Sequence, residues 1–477
     1  MVGVATELAA LDATAQAALV RTGELSARQL VEAAIERIEA VNPRLNAVVT
    51  PMYDRALARA DTVTGPFAGV PYLLKDLVVE VAGTRFTEGS AFLRDNVSTL
   101  DSALVTRLER AGLVIVGKTN TSEFGMAPTV EPAVHGTTRN PWDVTRSTSG
   151  SSGGSAAAAA ARLVPAAHAN DLGGSIRFPA SACGVFGLKP TRGRVSLAPI
   201  YGEVIAGWAC EHAVTRTVRD SATLLDAACG PEPGDPYCAP APSRPFAHEV
   251  GAAPGRLRIA FSARTASGTP AHPDCVAALD DAVALLATLG HELVEAELPQ
   301  LGAEEGEAIG TVYNAATAWI IDYWIRRLGR SPADDELEPL TRAFWAMGHA
   351  VSAAAYLRAV EVLQRYARGV AHFLANYHGW LAPTLSSPPA LLGEITSTPD
   401  APLRALERGG QTVDYPHVVA NITGNPAMSL PLWCNADGLP IGVHMLGRYG
   451  DEATLFRLAG QLEAARPWSA RLPPVHA

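Results

Sequence analysis

The sequence predicts an α/β fold, and two groups of residues indicate it. In the first, the apolar run Val70–Leu74 and the β-branched run Leu113–Lys118 are typical of short buried strands, and a helical pattern over Ser102–Ala111 lies between them. In the second, the strand-like RLRIAFSA, an amphipathic helix over Cys275–Leu289 ended by Gly290, and the strand-like HELVEAELP form a βαβ unit. This alternation predicts a sheet with helices packed on it.

Residues 1–65 are predicted to be helical, with one helix over about Glu7–Thr22 and a second over about Ala27–Val41. Ser26 and Gln29 have the spacing of an N-terminal capping box, and Asn42-Pro43 is expected to stop the second helix. We interpret the pair as packing against the core, without chemistry of its own.

Composition bounds the class of protein. Of the 477 residues, 48% are hydrophobic and 18% charged, so a substantial core is available. The net charge is −10 and there is no basic run, which argues against nucleic acid as a partner. The six cysteines show neither CxxC nor metal-ligand spacing and are expected to be reduced thiols. Because neither a signal peptide nor a span-length apolar run is found, we expect a cytoplasmic protein without a membrane partner.

The stretch Thr148–Arg177 organises the chain around two glycine-rich turns. The turns hold Ser151 and Ser175, and an alanine-rich helix, expected to begin at Gly154 or Ser155, lies between them. A flexible linker would explain GSSGG alone, but not its fusion to an apolar helix, the strand-like LVPAAHA and a second tight turn. The motifs GxxxxGK[ST], GxGxxG and GxSxG are absent. Two serines in two turns point to acyl transfer.

A serine hydroxyl needs a base to take its proton before it attacks a carbonyl. His168 lies among alanines within a strand pattern, and His212 is equally unmarked, so neither is in a turn that suggests a base. A lysine serves if burial keeps it neutral. Lys75, at the end of an apolar run, is the best placed, with Lys118 and Lys189 as competitors.

Four stretches, in this order, resemble the amidase signature enzymes. They are GVPYLLKDL, GKTNTSEFG, SGSSGGS and DLGGSIRFPASACGVFGLKPTRGRVS, and the two serines lie 24 residues apart, as they do in that family. The resemblance implies a large mixed, twisted β-sheet covered by helices on both faces. It also implies an amidase that needs neither a metal nor an organic cofactor.

Residue by residue, the resemblance implies that Ser175 is the nucleophile, Ser151 the bridging serine after a cis peptide bond, and Lys75 the terminal base. Backbone N–H groups would hold the oxyanion at Leu172, Gly173, Gly174 and Ser175. Substrate-binding positions would be Met126, Ala127, Ser149 and Gly150.

The residues around the nucleophile turn carry one departure from the family. Asp171 and Arg177 bracket the turn, and we interpret them as a supporting pair rather than as catalytic groups. Many relatives have Gly-Thr-Asp where this chain has Ala169-Asn170-Asp171, so the amide of Asn170 replaces a hydroxyl beside Asp171. The change is expected to alter how the turn is held rather than the chemistry.

Beyond the two turns, the resemblance continues more weakly to the end of the chain. Helices are predicted at Thr215–Cys229 and Glu452–Ala465, and strands at Trp380–Thr384, Gly424–Leu432 and GLPIGVHMLGRYG.

Gly306–Tyr377 is mostly helical and unusually aromatic, and it is expected to cover a roomy apolar cleft and set specificity. Ile200, Tyr201 and Trp208 either contact substrate or pack against the core, and packing is the safer interpretation. We expect one domain over residues 1–477: helices at 1–65, the signature core at 66–230, a variable region at 231–400 and closing strands and helix at 401–477.

Within the family, several stretches resemble the 6-aminohexanoate cyclic dimer hydrolases: DATAQAALVRTGELS, GPFAGVPYLLKDL, RNPWDVTRS, the Ala169-Asn170-Asp171 variation and CAPAPSRPF. This similarity suggests a hydrolase of hydrophobic non-peptide amides, linear or cyclic, and also of aryl amides, esters and carbamates. Three alternatives stay open: the glutamine-hydrolysing subunit of a tRNA-dependent amidotransferase, a small-amide amidase, and a non-enzymatic scaffold. The expected partner is a small-molecule amide or carbamate, and homodimers are common in the family.

Overall fold

The computed structural model describes residues 7–477. Within them, eleven strands join one sheet and two short strands form a second. In chain order the strands are β1 (Val48–Pro51), β2 (Pro71–Lys75), β3 (Val114–Thr119), β4 (Arg139–Asn140), β5 (Asp143–Ser147), β6 (Ala166–Asp171), β7 (Phe186–Lys189), β8 (Cys210–Thr215), β9 (Arg258–Phe261), β10 (Glu292–Glu295), β11 (Gly379–Pro383), β12 (Ala427–Cys434) and β13 (Pro440–Gly447).

The α-helices from residue 13 onward are interspersed among these strands. They are α1 (Ala13–Thr22), α2 (Ala27–Leu45), α3 (Tyr53–Ala60), α4 (Ala103–Arg110), α5 (Gly153–Ala160), α6 (Arg177–Cys183), α7 (Val218–Ala228), α8 (Pro273–Thr288), α9 (Ala303–Leu328), α10 (Pro339–His349), α11 (Ala353–Leu374), α12 (Arg404–Thr412), α13 (Val419–Thr423) and α14 (Glu452–Ala465).

The large sheet is mixed. Its strand order is β1-β3-β2-β6-β8-β7-β12-β13-β11-β9-β10. Strand β2 runs parallel to β3 and β6, whereas β8, β7, β12 and β13 follow one another as antiparallel neighbours. The predicted βαβ unit is confirmed, because β9 and β10 are parallel and α8 connects them. The predicted α/β class is therefore confirmed.

Helices cover both faces of the sheet at β2. Successive strand residues point to opposite faces. Leu74 packs into a cluster that includes Val105 of α4 and Val218 of α7. Leu73, the preceding residue, packs into another cluster with Val31 of α2 and the alanines of α5. Because both faces are buried, the strand reads as a continuous apolar run.

The first predicted helix is interrupted, which corrects the prediction of one helix from Glu7 to Thr22. Residues 7–10 form a separate helical turn, and α1 starts at Ala13. Asp12 caps α1 by accepting a hydrogen bond from the Ala15 N–H. The Ala13 N–H donates to Asp220 of α7 at 2.6 Å. A distant carboxylate thus satisfies an N–H group that a continuous helix would have bonded internally.

The second helix continues to Leu45, so the prediction that Asn42-Pro43 stops it was wrong. Pro43 lies inside the last turn, and the helix ends where Asn46 takes a left-handed conformation. The side chain of Asn42 then accepts hydrogen bonds from the two N–H groups after Asn46, each at 2.8 Å. The predicted capping box of Ser26 and Gln29 is present.

Other predicted elements are found with shifted ends. Thr215 ends β8, and Thr217 caps the next helix by accepting from the Asp220 N–H, so the helix predicted from Thr215 begins only after that cap. The aromatic segment Gly306–Tyr377 comprises most of α9, which begins three residues earlier at Ala303, together with α10 and α11. The closing helix lies at Glu452–Ala465 as predicted.

All six cysteines are free. Among residues 7–477, no helix is long and apolar enough to cross a membrane.

Candidate active site

Lys75 is the last residue of β2 and is fully buried. Because β2 and β6 are parallel, their carboxyl ends meet at one edge of the sheet, and Asn170 of β6 lies there beside Lys75. The Nζ of Lys75 is 2.7 Å from the Oγ of Ser151 and 2.5 Å from the Oδ1 of Asn170. The Asn170 amide donates in turn to the Leu77 carbonyl at 3.0 Å. The structure thus brings together Lys75, Ser151 and Asn170.

Burial lowers the pKa of Lys75 to about 7, and the negative charges of Glu211 and Asp171 partly oppose this shift. Close to neutral pH the amine is therefore able to accept a proton. His168 lies behind it as a structural link, because its Nδ1 accepts from the Lys75 N–H at 3.2 Å and its Nε2 lies 2.6 Å from Glu211.

The two competing lysines have other partners. Lys118 donates to the Arg85 carbonyl at 2.6 Å and lies over the Phe86 ring. Lys189 donates to the Pro190 carbonyl at 2.7 Å. In these two hydrogen bonds the ammonium groups of Lys118 and Lys189 donate to backbone carbonyls. Of the three lysines, Lys75 is therefore the one that contacts Ser151.

The first serine turn is built on a cis peptide bond between Gly150 and Ser151. A Cβ on Gly150 would lie 2.6 Å from the Thr129 nitrogen, so only glycine fits there. Helix α5 begins at Gly153, one residue before the earliest predicted start. Just before it, the Ser152 N–H donates to the Ser175 carbonyl at 3.3 Å, which joins the two serine turns directly.

The second turn is held by the carboxylate of Asp171. Its Oδ1 accepts from the Gly174 N–H at 2.8 Å and its Oδ2 from the Ile176 N–H at 3.1 Å, so the carboxylate grips the backbone on both sides of Ser175. Arg177 donates to both oxygens, at 3.0 and 2.9 Å. Burial opposes ionisation of Asp171, but the Arg177 guanidinium and the Asn421 amide hold its pKa well below the usual range.

Three residues far along the chain complete this support, and the sequence analysis did not find them. Asn421 donates to Asp171 Oδ1 at 2.9 Å and accepts from Arg177 at 2.8 Å. The carbonyl of His417 accepts from Arg177 at 2.8 Å, and His444 lies 3.1 Å from it. No sequence signal marks them, because each reaches Arg177 only through the tertiary fold: Asn421 lies in α13, His417 in the loop before it, and His444 in β13.

The atoms around the two glycines before Ser175 leave no room for a side chain at either position. Gly174 has φ +138°, and a Cβ there would lie 2.1 Å from the Phe178 ring. A Cβ on Gly173 would lie 2.4 Å from the hydroxyl oxygen of Tyr313, which itself donates to the Leu172 carbonyl at 3.2 Å. The backbone of this turn is therefore open to a ligand on one side and packed on the other.

Ser175 opens onto a cleft of about 510 Å³. Six of the predicted site residues line it: Met126, Ala127, Gly150, Leu172, Gly173 and Ser175. Ser149 does not, and its hydroxyl donates to the Pro128 carbonyl at 3.3 Å. The aromatic segment supplies Tyr313, Phe344 and Met347 among the lining residues, and its first helix lies along the cleft. The lining is mainly apolar, as the aromatic composition of that segment predicts.

The residues near position 200 divide between packing and lining. Trp208 is buried and packs edge-to-face on Tyr313, with ring centroids 5.6 Å apart. Ile205 lines the cleft. Tyr201 packs against Trp319 with ring centroids 5.8 Å apart and lies outside the cleft.

The chain belongs to the amidase signature family, since the family model described as Amidase matches residues 29–456. It is accordingly an amide-cleaving hydrolase that acts on carbon–nitrogen bonds.

Within that family, the chain closely resembles hydrolases of a cyclic amide. It is 41% identical over 475 residues to the 6-aminohexanoate-cyclic-dimer hydrolase of Paenarthrobacter ureafaciens, covering 97% of this chain and 96% of the relative. The hydrolase of the same name from Pseudomonas sp. (strain NK87) gives the same identity and coverage, 41%, 97% and 96%. A solved structure of 6-aminohexanoate cyclic dimer hydrolase complexed with substrate matches with a TM-score of 0.94 and 39% identity, over 98% of this chain and 100% of that one.

Proposed function

We propose that this hydrolase cleaves hydrophobic non-peptide amides, linear or cyclic, through an acyl-enzyme on Ser175. Aryl amides, esters and carbamates belong to the same substrate range, because one acyl-transfer site attacks any of these carbonyls. The observation that carries the proposal is the contact of 2.7 Å between the buried Lys75 amine and the Ser151 hydroxyl, next to the turn that presents Ser175 to an apolar cleft.

In the proposed reaction, neutral Lys75 takes the proton of Ser151 while Ser151 takes that of Ser175, and the Ser175 Oγ attacks the carbonyl carbon. As the tetrahedral intermediate collapses, the carbon–nitrogen bond breaks, and the proton returns through Ser151 to the leaving nitrogen. Water then attacks the ester with the same relay acting as base, and the carboxylic acid leaves. Each half of the reaction begins and ends with a neutral lysine.

The developing oxyanion needs N–H donors that are free to turn toward the cleft. The Gly174 N–H donates to Asp171 at 2.8 Å, so it serves mainly to hold the turn. We assign the oxyanion to the N–H groups of Leu172, Gly173 and Ser175, all of which belong to residues that line the cleft.

The cleft favours hydrophobic substrates over glutamine. Glutamine carries a carboxylate, which needs a cationic partner when it is buried. Within the described part of the chain, none of the residues that line the cleft is Lys, Arg, Asp or Glu, whereas Phe178, Phe344 and Val418 are among them. A volume of about 510 Å³ also exceeds what a short aliphatic amide fills. The cytoplasmic location, the homodimer and the single domain stay predictions.

The test is release of new amines from a substrate panel by the purified chain. The panel holds 6-aminohexanoate cyclic dimer, p-nitroacetanilide, a dicarbamate of an aromatic diamine, and glutamine. We expect turnover of at least one bulky hydrophobic substrate, its loss in Ser175→Ala, and its retention in the matched control Ser152→Ala, whose hydroxyl is donated to the Asn170 carbonyl rather than to the relay. Turnover of glutamine alone, or activity that survives Ser175→Ala, would contradict the proposal.

A further inference from the structure

A second, smaller cavity of about 30 Å³ adjoins the cleft. The two share four lining residues, Phe124, Met126, Leu172 and Ile205, so the small cavity lies directly beyond the cleft wall nearest the serine turn. A volume of this size holds one or two groups as large as a water molecule. It fits the end of a chain that enters from the cleft, and it does not fit a ring.

Two polar side chains face this otherwise apolar space. The Glu88 carboxyl accepts a hydrogen bond from the Trp324 ring nitrogen at 2.9 Å and is 1% exposed. Tyr201 is 6% exposed, and its hydroxyl has no hydrogen-bond partner among residues 7–477. A buried hydroxyl without a partner costs free energy that a bound donor or acceptor would recover.

The charge around the cavity selects what binds there. Among residues 7–477, no Lys, Arg or His lines it. Burial, together with the nearby charges of Glu80 and Asp76, raises the pKa of Glu88 to about 8. The hydrogen bond from Trp324 acts in the opposite direction and lowers this pKa. Glu80 and Asp76 are themselves paired with Arg327 and Lys118, so the direct effect is on Glu88: an ammonium beside it would stabilise its carboxylate, and a second carboxylate would not. The Trp319 ring, which also lines the cavity, attracts a cation as well.

We infer that Glu88 and Tyr201 bind a primary amino group at the far end of the substrate chain whose amide is cleaved at Ser175. The enzyme would thereby select ω-amino chains over plain alkyl chains of equal length. The amino group has the size of the cavity, donates to the carboxyl oxygen of Glu88 and satisfies the Tyr201 hydroxyl. This inference rests on the proposed function, because it places the amide at Ser175.

The test compares p-nitroanilides of ω-amino acids of increasing length, each beside the alkanoic acid p-nitroanilide in which a methyl group replaces the amino group. Binding is measured by calorimetry in Ser175→Ala, so that turnover is not needed. At the best-fitting length we expect the amine-ended ligand to bind about tenfold to hundredfold more tightly, the range of a hydrogen bond to a charged group. Glu88→Gln and, separately, Tyr201→Phe should each reduce that ratio toward one while leaving the methyl-ended ligand unchanged.

The matched control is Glu123→Gln. Glu123 is equally buried, but its carboxyl accepts from Ser90 at 2.6 Å and does not line the small cavity. A ratio near one at every chain length, or a ratio that survives both Glu88→Gln and Tyr201→Phe, would overturn the inference. The same ligands are offered to the intact enzyme. Selective binding without any hydrolysis would contradict the proposed function instead, and hydrolysis without selectivity would contradict only the inference.

Discussion

The pH dependence of hydrolysis should report the protonation of Lys75. Its pKa of about 7 means that half of the molecules carry the neutral amine at that pH. Below it the neutral fraction falls about tenfold for each pH unit, so kcat/KM at pH 5 should be about a hundredfold below its plateau above pH 8. The assay is initial rates on p-nitroacetanilide, or on the best substrate of the panel, at substrate concentrations well below KM, since kcat/KM follows the free enzyme.

The substitution Glu211→Gln tests whether Lys75 is the group whose protonation gives the acid limb. The charge of Glu211 favours the protonated amine, so Glu211→Gln should lower the pKa of Lys75 and move the acid limb to lower pH. Glutamine still accepts the hydrogen bond that Glu211 shares with His168. Glu463→Gln, which removes a carboxylate from the distant α14, should leave the limb in place. A profile that is flat down to pH 5, or a limb that Glu211→Gln moves to higher pH, would refute the lysine base.

Three further substitutions test the supports of the site. Asp171→Asn should lower the free energy of unfolding by about 3–5 kcal/mol in urea denaturation, because it leaves Arg177 buried without its charge partner, and Asp171→Asn with Arg177→Met should recover much of that loss. Gly173→Ala should reduce kcat/KM by up to about a hundredfold, since its Cβ would lie 2.4 Å from the Tyr313 hydroxyl, and Tyr313→Phe should restore part of the activity. Ser26→Ala should cost about 1 kcal/mol of stability through loss of the helix cap, which thermal denaturation measures.

Ser151, Ser175 and Lys75 of the candidate site could be picked out from the sequence because each lies in a local pattern. Ser151 and Ser175 lie in glycine-rich turns that allow few other interpretations of the sequence. Lys75 ends an apolar run in which a charged residue is unusual. Strand patterns placed β2 and β3 correctly for the same reason, since a strand buried on both faces reads as a continuous apolar run.

The features that could not be predicted from the sequence depend on contacts between residues that lie far apart along the chain. Asn421 reaches Asp171 over 250 residues, and Asp220 reaches the start of α1 over 207. Both contacts satisfy buried groups that local patterns leave open, and neither partner carries a distinctive motif. The small cavity has the same origin, since Glu88 and Tyr201 meet there only through folding.

The most direct measurement of the central claim is the mass of the acyl-enzyme formed with 6-aminohexanoate cyclic dimer. Opening a cyclic amide keeps both halves attached, so the intermediate on Ser175 should carry the whole mass of the cyclic dimer. After a rapid acid quench, digestion should place that mass on the peptide that contains Ser175, and the adduct should be absent in Ser175→Ala. Turnover without any adduct on that peptide, or an adduct that persists in Ser175→Ala, would contradict the account.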